Sequence, residues 1–281
     1  MLKKLFIMAA VALCAAACTA NKAETNTDNQ QDMTQPTDTA SAVVEFTTTE
    51  GNFSVLLYGD TPKHRDNFLK LVENHQYDSL LFHRVIKQFM VQAGDPTSKN
   101  APAGTQLGSG DPGYTIEAEI NYPKHYHKRG ALAAARTGDQ FNPERRSSGS
   151  QFYVVTGDKV SEDQLENLQM MALFNQFTAD NKEKITKLQQ ARDMAGLQAL
   201  QSEFETWAKE QIKKGDTPIT PQMIKDYTTI GGAPHLDGQY TVFGEVISGM
   251  DTIEKIEAAE TDGNDRPLQD VRILSAKVIK K

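Results

Sequence analysis

Apolar and polar positions change their period several times along this 281-residue chain, and each change marks a different element. Val44, Phe46 and Thr48 alternate with polar neighbours, Glu50-Gly51-Asn52 forms a turn signal, and Phe53, Val55 and Leu57 alternate again. That is the period-2 pattern of a β-hairpin. Thr61-Pro62 then reads as an N-cap followed by proline at the first helical position. Phe68, Leu71, Val72 and His75 follow at helical spacing. Short apolar runs at Leu81–Val91, Ala131–Ala135, Phe152–Val155, Tyr240–Val246 and Val271–Ile279 are separated by Gly and Pro and read as strands. A second helix is expected from Asp251 to about Ala259. One early helix, one late helix and many strands predict a β-barrel with helical lids.

Between Gly157 and Tyr227 the period becomes helical. Ser161-Glu162-Asp163-Gln164 is a capping-box pattern. Leu197, Leu200, Phe204 and Trp207 form one stripe, and Glu205/Lys209 and Glu210/Lys214 supply i,i+4 pairs on the other face. Thr220-Pro221 opens a further short helix. Residues 158–226 are thus expected to be a helical block set between two strands.

The segment before residue 42 differs sharply in composition from the body that follows. Lys3 and Lys4 precede a 13-residue apolar stretch, Leu5–Ala17, which fits a signal-peptide core and is too short to span a bilayer. Ala15-Ala16-Ala17-Cys18 resembles the lipobox of bacterial lipoproteins, with Ala15 where Leu is usual. That resemblance implies cleavage after residue 17, a lipid on Cys18, and a location in the bacterial cell envelope, periplasm-facing or on the outer membrane. Plain cleavage and an uncleaved signal anchor are the other readings of this segment. Residues 18–41 are rich in Thr, Asn, Gln and Asp and are expected to be a disordered tether. Cys14 and Cys18 are the only cysteines, so the body from residue 42 has no thiol chemistry and no disulfide.

The formal net charge is −7, and without Lys3 and Lys4 it is −9, with 28 basic against 37 acidic residues. Such a balance, without a basic run, argues against nucleic acid as a partner. Gly108-Ser109-Gly110-Asp111-Pro112-Gly113 satisfies GxGxxG, but Pro112-Gly113 leads into an extended segment and not the helix a dinucleotide site needs. His125 and His127, crowded by Lys124, Lys128 and Arg129, read as a surface pair in preference to metal ligands.

The stretch Phe82-His83-Arg84-Val85-Ile86-Lys87-Gln88-Phe89-Met90-Val91-Gln92-Ala93-Gly94-Asp95 resembles the central signature of the cyclophilins. Tyr77-Asp78 before it, Ser147–Tyr153 and Leu236–Gly244 after it, and the helix opening at Thr61–Phe68 agree in order and kind. The resemblance covers Val43–Gly157 and Tyr227–Ile279. It implies a mainly β fold, a closed antiparallel eight-stranded barrel over residues 42–157 and 227–281, with two capping helices and the inserted block at 158–226.

The resemblance also implies peptidyl-prolyl cis-trans isomerase activity, a rotation that needs no nucleophile, metal or cofactor. Carried onto this sequence, Arg84, Phe89 and Gln92 would be catalytic. Met90, Tyr153 and Leu236 would complete an apolar cup for the proline ring, and Ala135, Arg136 and Gln151 would flank the adjoining groove. Tyr240 stands where many members have His, and Tyr153 where Phe is usual. Arg136 replaces a common Asn, and His235 occupies a position where many members carry a Trp or Phe that contacts cyclosporin. Partners are expected to be proline-containing polypeptides, the membrane through Cys18, and a protein partner through residues 158–226. The alternative to an isomerase of exported proteins is a client- or partner-binding envelope module in which catalysis is secondary.

Overall fold

A computed structural model describes residues 41–280 of the chain. The expected signal segment, the lipidation site Cys18 and all of the expected tether but residue 41 lie outside the described residues.

The described residues fall into two compact units. One holds residues 41–168 together with 219–280, and the other holds residues 169–218. In the first unit, β1 (Ala42–Thr48) and β2 (Gly51–Leu57) form the expected hairpin, with Phe46 opposite Phe53. α1 (Pro62–Glu73) follows, then β3 (Arg84–Ile86), β4 (Met90–Ala93), β5 (Thr115–Ile116), β6 (Ala131–Ala134), β7 (Ser147–Ser148) and β8 (Phe152–Val155). After the helical stretch come β9 (Val242–Ser248), α6 (Met250–Glu257) and β10 (Ile273–Lys280).

Eight of these strands make one antiparallel sheet in the order β10-β1-β2-β9-β6-β8-β4-β3, while β5 and β7 pair separately. The closed barrel expected from sequence is seen as a sheet whose two end strands, β10 and β3, do not pair with each other. Register shifts in β1, β2 and β6 are the places where such a sheet bends.

One face of the sheet packs around Val44, Phe46, Phe53, Phe82, Leu132, Phe152 and Phe243, all nearly inaccessible. Phe68, Leu71 and Val72 of α1 and Ile253 and Ile256 of α6 complete this core. Those side chains recur at three- and four-residue spacing, so each helix buries one stripe. Thr61 caps α1 by position only, because its hydroxyl donates to the Tyr58 carbonyl instead of accepting a helix N–H. The run Leu81–Val91, expected as one strand, is two strands. It turns at Gln88, whose φ is +61° and whose backbone N–H donates to Glu257 Oε1 of α6 at 2.6 Å.

α2 (Glu162–Asp180) opens on the capping box, with the Gln164 N–H donating to Ser161 Oγ and the Ser161 N–H to Gln164 Oε1. Its first turns belong to the sheet-containing unit, where Leu165 packs with Ile219, Met223 and Tyr227 of the segment that carries α5 (Pro221–Thr229). The unit of residues 169–218 holds the rest of α2 with α3 (Lys182–Gln190) and α4 (Met194–Lys214). Its own core is Leu173, Phe174, Phe177, Leu200, Phe204 and Ala208. Within the expected stripe, Leu200 and Phe204 are buried while Leu197 and Trp207 are half-buried.

Candidate active site

The register of the sheet sets one row of side chains on the face away from the main core. Arg84 of β3 lies opposite Gln92 of β4, Gln92 opposite Tyr153 of β8, Tyr153 opposite Ala133 of β6, and Ala133 opposite Val242 of β9. Directly opposed residues in antiparallel strands point to the same face, so four adjacent pairings line these groups up. Met90 and Val155, two residues along, face the same way. Around them a cavity of about 400 Å³ is lined by Arg84, Phe89, Met90, Gln92, Ala135 and Arg136 on one side, with Tyr153, Leu236 and Tyr240.

Each polar group in this row is held. Arg84 sits on the end strand with its side chain 42% exposed, and its Nε donates to Asp265 Oδ2 at 3.4 Å. Gln92 Nε2 donates to Gln151 Oε1 at 2.9 Å, and Gln151 Nε2 in turn donates to the carbonyls of Gly108 and Gly110. Gln151 therefore braces Gln92 from behind and does not line the cavity. Gly94 makes this closeness feasible: its φ is +94°, and a Cβ there would lie 2.2 Å from the Ser150 carbonyl oxygen.

Arg136 is fixed by donating from Nε to the Gln239 carbonyl and by pairing with Asp139, and its guanidinium lies 4.4 Å from the centre of the Tyr240 ring. Leu236 arrives on a single 3₁₀ turn, Pro234–Leu236. His235 of the same turn does not line the cavity. Its ring packs 5.4 Å from that of Phe89, and burial holds its pKa below the usual histidine value.

The remaining wall was not foreseen. Thr105–Ser109 and the turn containing Asp262, Asn264 and Arg266 close the side beyond Arg84. Asp265, at φ +63°, is one of the non-glycine residues in left-handed conformation, and this turn aims its carboxylate at Arg84. The cluster of Asp, Gly, Asn and Pro at 262–267 is the turn signal that could have located it. His83 also lines the cavity and is 3% exposed, and among the described residues neither ring nitrogen has a hydrogen-bond partner. Burial lowers its pKa to about 4.

The GxGxxG stretch is a loop tied to Asp95, whose Oδ2 accepts the N–H groups of Gly108 and Gly110. Burial works to raise the Asp95 pKa, but these bonds and those from Thr97 outweigh it and hold the carboxyl low. The expected surface pair of histidines is corrected by the structure. His127 is buried between Asp237 and Tyr153, while His125 stacks on Tyr58 and pairs with Asp60. Both find acidic partners distant in sequence, which the local charge pattern could not reveal.

A family model described as cyclophilin-type peptidyl-prolyl cis-trans isomerase matches residues 43–202 and 223–278. The chain belongs to this family. A peptidyl-prolyl cis-trans isomerase, by name, of Staphylococcus saprophyticus is 30% identical over 234 residues, covering 83% of this cyclophilin and 89% of the relative. A protein of Streptococcus pyogenes named as a bifunctional phosphatase/peptidyl-prolyl cis-trans isomerase is 29% identical over 239 residues. That match takes in 84% of this chain but spans only 38% of the relative's length. Among solved structures, a cyclophilin-type isomerase of Cryptosporidium parvum aligns with a TM-score of 0.51 at 20% identity. It covers 86% of this chain and 99% of the other, and it supports the fold of this cyclophilin.

Proposed function

We propose that the cavity beside Arg84 is where this cyclophilin rotates X-Pro peptide bonds, with Arg84, Phe89 and Gln92 catalytic. As a member of its family the chain is a peptidyl-prolyl cis-trans isomerase. The observation that carries the site assignment is the row Arg84–Gln92–Tyr153 set beside apolar Phe89, Met90 and Leu236 in one cavity. Amide resonance gives a peptide bond a rotation barrier of about 18–20 kcal/mol. Breaking that resonance at the twisted bond returns a lone pair to the prolyl nitrogen. An apolar cup of Phe89, Met90, Leu236 and the Tyr153 ring holds the proline, so one side of the bond stays fixed while the other turns. The Arg84 guanidinium offers several donors from a rigid plane and is held to one side by Asp265. Placed over the prolyl nitrogen and carbonyl, it favours the twisted amide over the planar one, and each ~1.4 kcal/mol gained only there speeds rotation tenfold. No bond is made or broken, and no proton need be transferred. The groove at Ala135, beside Arg136 and braced by Gln151, takes the residue before proline, with Tyr240 at its rim. His235 acts through its ring contact with Phe89.

The clients we propose are exported proteins, met in the cell envelope by an enzyme anchored through a lipid on Cys18. The apolar Leu5–Ala17 segment and the small residues before Cys18 support this. Cys18→Ala should move the protein from the membrane to the soluble fraction; a variant that stays membrane-bound at high salt contradicts the anchor. We also propose that the sheet closes on itself. Supporting this, Phe82 N–H donates to the Val271 carbonyl and Ile273 N–H to the Leu80 carbonyl, joining the chain before β3 to the chain entering β10. The second reading, a client-binding module over residues 158–226, is favoured by the exposed apolar side chains of Met171, Met194 and Ile212. Replacing residues 169–218 by a short Gly-Ser link separates the two. The isomerase reading expects peptide turnover to persist, and the binding reading expects loss of client capture alone.

A further inference from the structure

Tyr153 presents its ring to the cavity, yet its hydroxyl takes no part there. The oxygen lies 3.0 Å from His127 Nε2, and His127 is not among the cavity-lining residues. His127 is 1% exposed, and its other ring nitrogen, Nδ1, lies 3.0 Å from Asp237 Oδ1. The same carboxylate oxygen accepts the His127 backbone N–H at 2.9 Å, and Oδ2 accepts the Tyr227 hydroxyl at 2.6 Å. A buried chain of hydrogen bonds therefore runs Tyr227–Asp237–His127–Tyr153 and ends on the wall of the cup. The backbone locks it in place. Ala233 N–H donates to the His127 carbonyl at 2.8 Å, and a Cβ on Gly232 would lie 2.3 Å from that oxygen and 2.6 Å from the Tyr227 ring.

The direction of each bond follows from the inventory of donors. An ionised carboxylate only accepts, so with the side chain of Asp237 ionised the Nδ1 of His127 must carry the hydrogen. In the neutral ring Nε2 is then an acceptor, and the Tyr153 hydroxyl must donate to it. Its hydrogen is consumed inside the protein, and the cavity meets ring carbon. Removing the acceptor at Asp237 frees the proton to sit on Nε2. The Tyr153 oxygen would then accept, and its own hydrogen would need a partner in the cup, where a prolyl ring has none to offer.

We propose that His127, Asp237 and Tyr227 are positioning residues for the proline cup, holding the Tyr153 hydroxyl as a donor turned out of the cavity so that the prolyl ring meets an apolar wall. This rests on the reading that the cavity receives the prolyl ring. Tyr227 is the outer anchor. It is fully buried on α5, beside Tyr126 and packed with Leu165, Ile219 and Met223, so the helix leading back to the sheet also braces the site.

Two measurements on the purified protein test the proposal. Long-range ¹H–¹⁵N correlation spectra of the histidine rings should show His127 protonated on Nδ1 and bare on Nε2 at neutral pH. A hydrogen on Nε2 in the wild type overturns the proposal, whatever the activity. The second is a double-mutant cycle on an Ala-Pro peptide. Asp237→Leu, which removes the acceptor that an Asn amide oxygen would keep, should raise KM about fivefold and leave kcat within about twofold. In a Tyr153→Phe background the same change should move KM by less than twofold, because no hydroxyl remains to misdirect. An Asp237 effect of equal size in both backgrounds means a general structural role and overturns the proposal. Tyr227→Phe, which keeps the His127–Asp237 contact and serves if Asp237→Leu does not fold, should raise KM two- to threefold only when Tyr153 is present. No change there removes Tyr227 from the network. A wild type without turnover would instead contradict the isomerase reading and leave the tautomer result standing.

Discussion

The central strands carry two apolar faces with opposite fates. Val91, Ala93, Leu132, Phe152, Val154 and Phe243 point into the main core, while their immediate neighbours Met90, Ala131, Ala133, Tyr153, Val155 and Val242 point to the cup. The first face meets α1 and α6 and fills with aromatic rings, Phe68 and Tyr77 each 5.4 Å from Phe152. The second meets half-buried Phe89, Ala135, Leu236 and Tyr240 and opens into a cavity. Both faces are apolar, so hydrophobicity alone does not separate stability from function. At β6 side-chain size does, with Leu132 on the core side and alanines on the cup side. The core face of β8 carries Phe152, whereas the cup side of β6 carries Ala131 and Ala133 and is followed by Ala135, leaving room for a ligand. Polar Arg84 and Gln92 stand in the cup row, and each has a partner.

That contrast breaks most visibly in stability. Phe152→Ala should destabilise the protein by about 3–5 kcal/mol, measured by urea unfolding, since the cavity it leaves is enclosed by rings that cannot collapse. A loss below about 1 kcal/mol would mean the aromatic face is not the stabilising one.

The next largest effect concerns His83, a buried ring that lines the cavity. The unfolded chain takes a proton at this ring below about pH 6.5, while the folded chain resists until pH nears 4. Its neutral state is therefore a stability contribution present above pH 6.5 and lost as the pH falls towards 4. Over that window unfolding free energy should drop by up to roughly 3 kcal/mol, at 1.36 kcal/mol per pH unit. Carboxylates held low, such as Asp95, lose their contribution only at lower pH, which separates them from His83. Urea unfolding at pH 7, 6 and 5 should give a steeper fall for wild type than for His83→Gln; equal slopes contradict the assignment.

A smaller effect sharpens the cup side. Ala135→Leu should raise KM for an Ala-Pro peptide about tenfold, roughly 1.4 kcal/mol, while kcat changes less. Ala135 is only half-buried, so the melting temperature should move little. A variant with unchanged KM would place the groove elsewhere.

Much of this fold could be read from residue order, and the reasons are local. The β1–β2 hairpin announces itself by alternation on either side of Glu50-Gly51-Asn52, although the turn itself is Thr49-Glu50 and Gly51 already opens β2; α1 announces itself by proline at its first position. Ser161 and Gln164 form the capping box their spacing implies. The cavity-lining residues lie in motifs whose types and order were visible in the chain, but their side-by-side placement comes from strand register. What stayed hidden depends on tertiary partners. The turn that splits Leu81–Val91 has no Gly, Pro or Asn; Gln88 adopts φ +61° while α6 holds its N–H through Glu257. His127 looked like a surface residue because Lys128 and Arg129 follow it, and only Asp237, 110 residues away, explains its burial. A still longer separation hid Asp265, 181 residues from the arginine it holds.

The central claim is that the cup face with Arg84 on its rim carries the isomerisation. Exchange NMR on an Ala-Pro peptide, with wild type and Arg84→Ala at equal concentration and matched circular dichroism, measures it directly. The wild type should produce cis–trans exchange cross-peaks on a timescale where the free peptide shows none. Arg84→Ala should slow that exchange by on the order of 10²-fold or more, the scale of losing one preorganised donor to a transition state. A folded Arg84→Ala variant exchanging the peptide at the wild-type rate would contradict the account.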